Sequence, residues 1–245
     1  MNETQPKIKV IGNPLSPYVR KVLACLEYKS LNWEIDPILA PLANQAFSEN
    51  NPQRYIPVLE VQDADGLFKV ADSSVICQYL DERFPNPGIY PENPELAARA
   101  RYLEEYADTK LFDVMVLKLF VHRVLRPNFG TGEPDEALVT ESLQNGFPEA
   151  LEYLESVTPQ QGWLVGEFSV ADCAIGAFSR LVILSGLKFD AGRWPRFSGY
   201  FQRVMAAPMF ASRFSLEEAL LDTPLDQHSN KLRQLGYVVH DDFRG

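Results

Sequence analysis

Cysteine is scarce in this chain: three among 245 residues, and an odd number. Cys25, Cys77 and Cys173 fall inside helical patterns and make no C-x-x-C pair. That usage suits a reducing compartment better than a disulfide framework. Basic charge is also short: 23 Lys and Arg stand against 33 Asp and Glu, a formal net charge of -10. Nucleic acids and anionic membranes both require a basic face, so neither is an expected partner. Long apolar runs are missing. The most apolar stretch, Leu111 to Leu125, is broken by Asp113, Lys118, His122 and Arg123, so no membrane span is expected. Residues 1–7 are polar and lack the apolar centre of a signal peptide, which leads to the expectation of a cytoplasmic protein. There is no G-x-G-x-x-G and no G-x-x-x-x-G-K, and His122, His228 and His240 stand at no ligand spacing. Neither a nucleotide nor a metal is expected.

What is there is enough apolar material for a full core, 46% of residues. Periodicity divides the chain. Residues 8–12 read as a strand, 17–29 as a helix and 33–35 as a second strand. Residues 37–55, with Pro37, Pro41 and Pro52, read as a loop with one short helix around 42–48. Residues 56–61 and 67–70 read as a hairpin around Asp63-Ala64-Asp65-Gly66. Asp72 or Ser73 caps a helix bearing Val75, Ile76, Tyr79, Leu80 and Phe84 on one face, ended by Pro85. The order is β-α-β, loop, β-β-α, a thioredoxin-like α/β half over residues 1–86. A proline-rich linker at 87–93 follows, then an all-helical domain at 94–221.

Within that domain Asn93 and Pro94 open a long helix to about Arg126. Gly146 and Pro148 predict a kink or two helices over 134–157. Ser169-Val170-Ala171-Asp172 reads as a capping box with Asp in place of Glu. Residues 222–245 form a tail whose end, 236–240, either adds a strand or lies over the surface.

The stretch Asn13-Pro14-Leu15-Ser16-Pro17-Tyr18-Val19-Arg20 draws the eye. Pro17 suits the first helical position, so Ser16 sits at a helix N-terminus just beyond a strand. Such a place attracts anions through its free amides and the helix dipole. Ser16 either caps the helix or holds a reactive anion.

Four motifs in order resemble those of the cytosolic glutathione transferase superfamily. Ser16-Pro17-Tyr18-Val19-Arg20-Lys21-Val22 resembles the active-site motif of its serine-type, tau-like and related bacterial members. Asn51-Pro52 through Ile56-Pro57-Val58-Leu59 resembles the segment carrying the family's cis-proline. Asp72-Ser73-Ser74-Val75-Ile76 resembles the acidic-serine motif, and Gly166 to Asp172 the helix-capping signature.

The resemblance implies the glutathione transferase fold, glutathione as co-substrate and catalysis through Ser16. It also implies contacts to glutathione from the Ile56 backbone beside cis-Pro57, from Asp72 and Ser73, and from Arg54 or Gln45 at the glycyl end. Arg20 supports the loop. Asp108 reaches a partner's glutathione or is a solvated helix position. A homodimer and a small apolar electrophile complete the expectation. Pro14, Leu15, Phe112, Met115, Val116 and Leu119 either wall the electrophile pocket or belong to the core.

The chemistry is adequate in size. A thiol of pKa ~8.5 is only a few per cent thiolate at neutral pH. Lowering that pKa by about two requires ~2.7 kcal/mol. A hydroxyl bonded to a charged sulfur supplies ~1.5–3 kcal/mol, and a helix N-terminus ~0.3–1 kcal/mol. Serine cannot form a mixed disulfide, which disfavours thiol-disulfide exchange. A glutathione-dependent peroxidase or isomerase, or a non-catalytic binding protein on the same fold, is the alternative reading.

Overall fold

A computed structural model describes residues 6–39, 42–49 and 51–244. Pro41 and the extreme ends of the ranges 1–86 and 222–245 lie outside them. The chain divides into two compact units, a first that joins the residues up to Pro87 with Phe214–Gly245 and a second over Gly88–Arg213. The division at the C-terminal side therefore falls at 213/214, where the sequence pattern sets it at 221/222.

The first unit is built on a sheet of β1 (Lys7–Ile11), β2 (Glu34–Asp36), β3 (Val58–Asp63) and β4 (Gly66–Ala71). The order is β2-β1-β3-β4, with β1 parallel to β2 and the other pairs antiparallel. Between them lie α1 (Pro17–Tyr28) and the single turn α2 (Ala46–Glu49), and α3 (Ser73–Arg83) follows β4. Alternation assigns the two faces. Ile8, Val61 and Phe68 are cross-strand neighbours on the face that meets α3, where Phe68 stacks on Tyr79. Helix α1 packs beside α3. At its C-terminus the buried Lys29 ammonium bonds to Asp81 and to the Phe84 and Pro87 carbonyls.

The opposite face carries Ile11 and Val58, packed with Ile38, Phe47, Ala71 and Phe243. Phe243 belongs to the tail, which comes back to the sheet. Helices α11 (Phe214–Leu221) and α12 (His228–Gln234) precede that return and belong to this unit.

Val239 then forms a parallel bridge with Ile35 on the outer side of β2. The Ile35 amide donates to the Val238 carbonyl and the His240 amide to the Ile35 carbonyl. Of the two readings of 236–240, the sheet edge is the place observed, reached through this isolated bridge while the sheet itself keeps four strands. Farther on, the Asp242 and Phe243 amides donate to Asp36 Oδ2. Burial pushes the Asp36 carboxyl up to about 6, against the pull of those amides.

The second unit opens with α4 (Pro94–Tyr106), capped by Asn93, whose carboxamide accepts the Leu96 amide. It continues through a segment with π-type hydrogen bonding (Ala107–Leu125) into the turn α5 (Arg126–Phe129), closed by Gly130 at φ 62. α6 (Glu136–Glu141) and α7 (Phe147–Val157) are joined by a π-type turn at Ser142–Gly146. The expected break at Gly146 and Pro148 thus takes the form of a widened turn, as is common where a helix ladder is interrupted. Gly146 is required there: a Cβ would stand 2.7 Å from Val114 Cγ1.

α8 (Val170–Leu184) is the buried centre of this unit, with every residue from Val170 to Val182 buried. α9 (Pro195–Ala206) packs against it and leads into α10 (Pro208–Ala211). The capping box is present: Asp172 Oδ2 accepts the Ser169 amide and hydroxyl, and Oδ1 accepts the Leu164 amide and the Tyr200 hydroxyl. Among the described residues no helix is long and apolar enough to cross a membrane.

Candidate active site

One row of the sheet organises the site. Ile11, Val58 and Ala71 lie side by side on β1, β3 and β4. The chain leaves this row toward Ser16 from β1, arrives at it from Ile56-Pro57, and passes from Ala71 directly into Asp72 and Ser73. Three motifs distant in sequence therefore meet at one end of the sheet. Adjacent strands are about 4.8 Å apart, so three strands span about 10 Å, the reach of three extended residues.

Ser16 is the N-cap residue of α1 by backbone, at φ -71 and ψ 129, and Pro17 takes the first helical position. Its side chain makes no capping hydrogen bond. The cap reading requires that bond. Ser16 is a partly exposed residue at the positive end of a twelve-residue helix. The preceding turn is built by buried groups. The Ser16 amide donates to the Asn13 carbonyl at 2.9 Å, and the Leu15 amide to Asn13 Oδ1 at 3.0 Å. Arg20, 1% exposed, donates to the Leu15 carbonyl at 3.3 Å, so it supports the loop as expected.

The Ile56–Pro57 peptide is cis. The β3–β4 ladder begins at Val58, which leaves the Ile56 amide and carbonyl outside it. Gly12 makes the approach of the two loops possible. Its φ is 147, and a Cβ there would stand 2.7 Å from Val19 Cγ2 and 3.1 Å from Ile56 Cβ.

Asp72, and not Ser73, is the N-cap of α3. Its Oδ1 accepts the Ser74 amide at 2.9 Å and the Val75 amide at 3.1 Å, with the backbone at φ 79. A positive φ in a residue other than glycine costs about 1–3 kcal/mol and is held only by its surroundings. The cap uses one carboxylate oxygen, Oδ1, for both amides. Lys21 Nζ donates to Ser74 Oγ at 3.0 Å and ties α1 to the start of α3.

Arg54 and Gln45 lie on the loop around α2 and are placed differently. The Arg54 guanidinium, on a residue at φ 55, bonds to the Ala43 and Asn44 carbonyls and the Ser48 hydroxyl. It organises this loop. Gln45 is exposed. Asp108 is half-buried in the π-type segment of the other unit, where Met115, Val116 and Leu119 are buried and Phe112 half-buried. Asn13 opens the stretch singled out in the sequence but has no role assigned there, and Glu217 and His228 carry no motif. Among the described residues no group of three or more His, Cys, Asp or Glu is placed to hold a metal ion.

The glutathione S-transferase N-terminal domain profile matches residues 10–88, and the C-terminal domain profile of the same family matches residues 113–208. The chain belongs to the glutathione S-transferase family. A glutathione S-transferase of Hyoscyamus muticus is 23% identical over 218 residues, covering 86% of this chain and 99% of that relative. Glutathione S-transferase U10 of Arabidopsis thaliana is 32% identical over 117 residues, 47% of this chain and 49% of that one. A crystal structure of a glutathione S-transferase from Rhodospirillum rubrum has 25% identity and a TM-score of 0.74, covering 83% of this chain and 90% of that one. The family uses glutathione as co-substrate, and the α/β half and helical half are its fold.

Proposed function

We propose that the chain is a serine-type glutathione transferase in which the Ser16 hydroxyl donates to the glutathione sulfur and holds it as thiolate for attack on a small apolar electrophile. The observation that carries this reading is the Ser16 hydroxyl left uncapped at the α1 N-terminus. In this reading the cysteinyl unit pairs with the Ile56 amide and carbonyl beside cis-Pro57, as an added strand does. The γ-glutamyl carboxylate takes the Ser73 amide and hydroxyl, and its ammonium the second oxygen of Asp72. Gln45 meets the glycyl carboxylate, on a loop that Arg54 holds. Pro14 and Leu15 wall the electrophile's side.

A homodimer is proposed from the exposed apolar side chains around β4 and α3. Leu67, Phe68 and Val75 are 51%, 44% and 50% exposed. Asp108 is proposed as the partner-facing acid. A cytoplasmic detoxifying role goes with the reading.

The test is conjugation of a general aryl halide by wild type and Ser16→Ala across pH, with glutathione binding measured alongside. Ser16→Ala is expected to bind glutathione, to lose about tenfold or more in rate at neutral pH, and to recover as the pH rises toward the free thiol's pKa. Equal rates for both proteins at every pH would sink the role of Ser16.

A further inference from the structure

The turn that presents Ser16 is held from outside by the C-terminal helices. Asn13 Nδ2 lies 2.8 Å from His228 Nδ1, and His228 Nε2 lies 3.0 Å from the Thr223 carbonyl. A carbonyl can only accept, so Nε2 carries the proton and Nδ1 is the bare nitrogen that accepts from Asn13. Burial holds this imidazole below its ordinary pKa, in keeping with a neutral ring. On the other side of the turn, Arg20 Nη1 stands 3.7 Å from Glu217 Oε2, while Nη2 reaches the Leu15 carbonyl. Asn13, Arg20, Glu217 and His228 are each no more than 2% exposed.

We infer that Glu217 on α11 and His228 on α12 are positioning residues that fix the Asn13–Leu15 turn and so aim the Ser16 hydroxyl. This rests on the reading of Ser16 as the thiolate donor. Asn13 is the pivot. Its Oδ1 is committed to the Leu15 amide, and its Nδ2 donates to the Pro37 carbonyl at 3.3 Å and to His228 Nδ1 at 2.8 Å. Leu15 is held twice, through its amide by Asn13 and through its carbonyl by Arg20. Removing either outer anchor takes one buried contact from Asn13 Nδ2 or from the Arg20 guanidinium, and the turn loses that restraint. A donor must stay within about 0.5 Å of its productive place to keep its effect. The terminal helices thus complete the site from the far end of the sequence, at a separation of 215 positions for Asn13 and His228.

The test measures the pKa of bound glutathione by thiolate absorbance, together with kcat and the KM for glutathione. The proteins are His228→Leu, His228→Gln and Glu217→Gln, each in the wild-type and the Ser16→Ala background. His228→Leu and Glu217→Gln are expected to raise the bound-thiol pKa by about one, equivalent to about tenfold less thiolate at neutral pH. The KM for glutathione should change little. His228→Gln keeps an acceptor for Asn13 and should recover most of the wild-type value. In the Ser16→Ala background neither anchor variant should add a further rise, because residues acting through one group are non-additive.

Wild-type pKa values in both anchor variants, with Ser16→Ala raised, overturn the positioning role alone. Equal losses with and without Ser16 overturn it too. A Ser16→Ala protein with the wild-type pKa removes the donor reading and this inference together. The two anchors lie on different helices, so a folding failure in one variant leaves the other to decide, with thermal melts identifying the failure.

Discussion

Replacing Asp172 by alanine should cost the second unit more stability than its place on a helix end suggests. The carboxylate is fully buried and accepts four bonds, from the Leu164 and Ser169 amides and the Ser169 and Tyr200 hydroxyls. Three of those donors cannot readily turn elsewhere. At about 2 kcal/mol for each donor left unsatisfied, the loss is about 6 kcal/mol. Burial pushes the carboxyl up to about 6 from 3.8, against all four of its hydrogen bonds. An ionised group with that shift costs about 3 kcal/mol at neutral pH, which the alanine recovers. The net expectation is about 3 kcal/mol, or a melting temperature lower by about 6–12 °C in a chain of this size.

The sign of the pH dependence follows from the raised pKa. Asp172 destabilises the fold when ionised, above about pH 6, and that cost is relieved as the pH falls toward 3.8. The stability gap between wild type and Asp172→Ala should therefore widen by about 1 kcal/mol between pH 7.5 and pH 5. Tyr200→Phe, which removes one donor only, should cost about 1 kcal/mol. Urea melts at several pH values measure all three. An Asp172→Ala protein within about 2 °C of wild type, or a gap that narrows on acidification, would refute the reasoning.

Substitutions at three other positions test the site and its frame. Gly12→Ala places a methyl 2.7 Å from Val19 at a φ of 147, and should destabilise by about 2 kcal/mol or more and weaken glutathione binding, read by melts and titration calorimetry. Asp72→Asn keeps an oxygen for the Ser74 and Val75 amides but loses the charge. It should melt within about 0.5 kcal/mol of wild type while its KM for glutathione rises severalfold, whereas Asp72→Ala should also lose about 1 kcal/mol of cap. Phe243→Ala removes the tail ring from the Ile11–Val58 cluster and from Phe47, and should cost about 1–2 kcal/mol and raise amide exchange at Ile35.

The parts of this fold that were legible in the sequence are those with a local signal. β1, α1, the β3–β4 hairpin and α3 follow from apolar period and turn residues, with ends displaced by a residue or two. The capping box at Ser169 and Asp172 is likewise written within four residues. Ambiguities of one bond needed coordinates: the choice of Asp72 over Ser73 as cap, and the hydroxyl of Ser16 left out of the cap. What stayed illegible is long-range. Nothing near His228 or Glu217 announces Asn13 or Arg20, and Phe243 gives no hint that it covers a sheet beginning at Lys7. Such contacts depend on where α11 and α12 carry the chain after the helical unit, which no period in the sequence encodes. The loop over 37–55 has weak periodicity for a related reason. Its order comes from Arg54 and from the tail, through the Asn44 amide to the Phe243 carbonyl at 2.9 Å, and little from its own side-chain pattern.

The pKa of the glutathione thiol bound to wild type and to Ser16→Ala, read from thiolate absorbance over a pH titration, bears on the role of Ser16 more directly than any rate. A hydroxyl contributing about 1.5–3 kcal/mol to the anion predicts a wild-type value near 6.5 and a rise of about one to two on substitution. Two titration curves that coincide would show that Ser16 does not hold the thiolate.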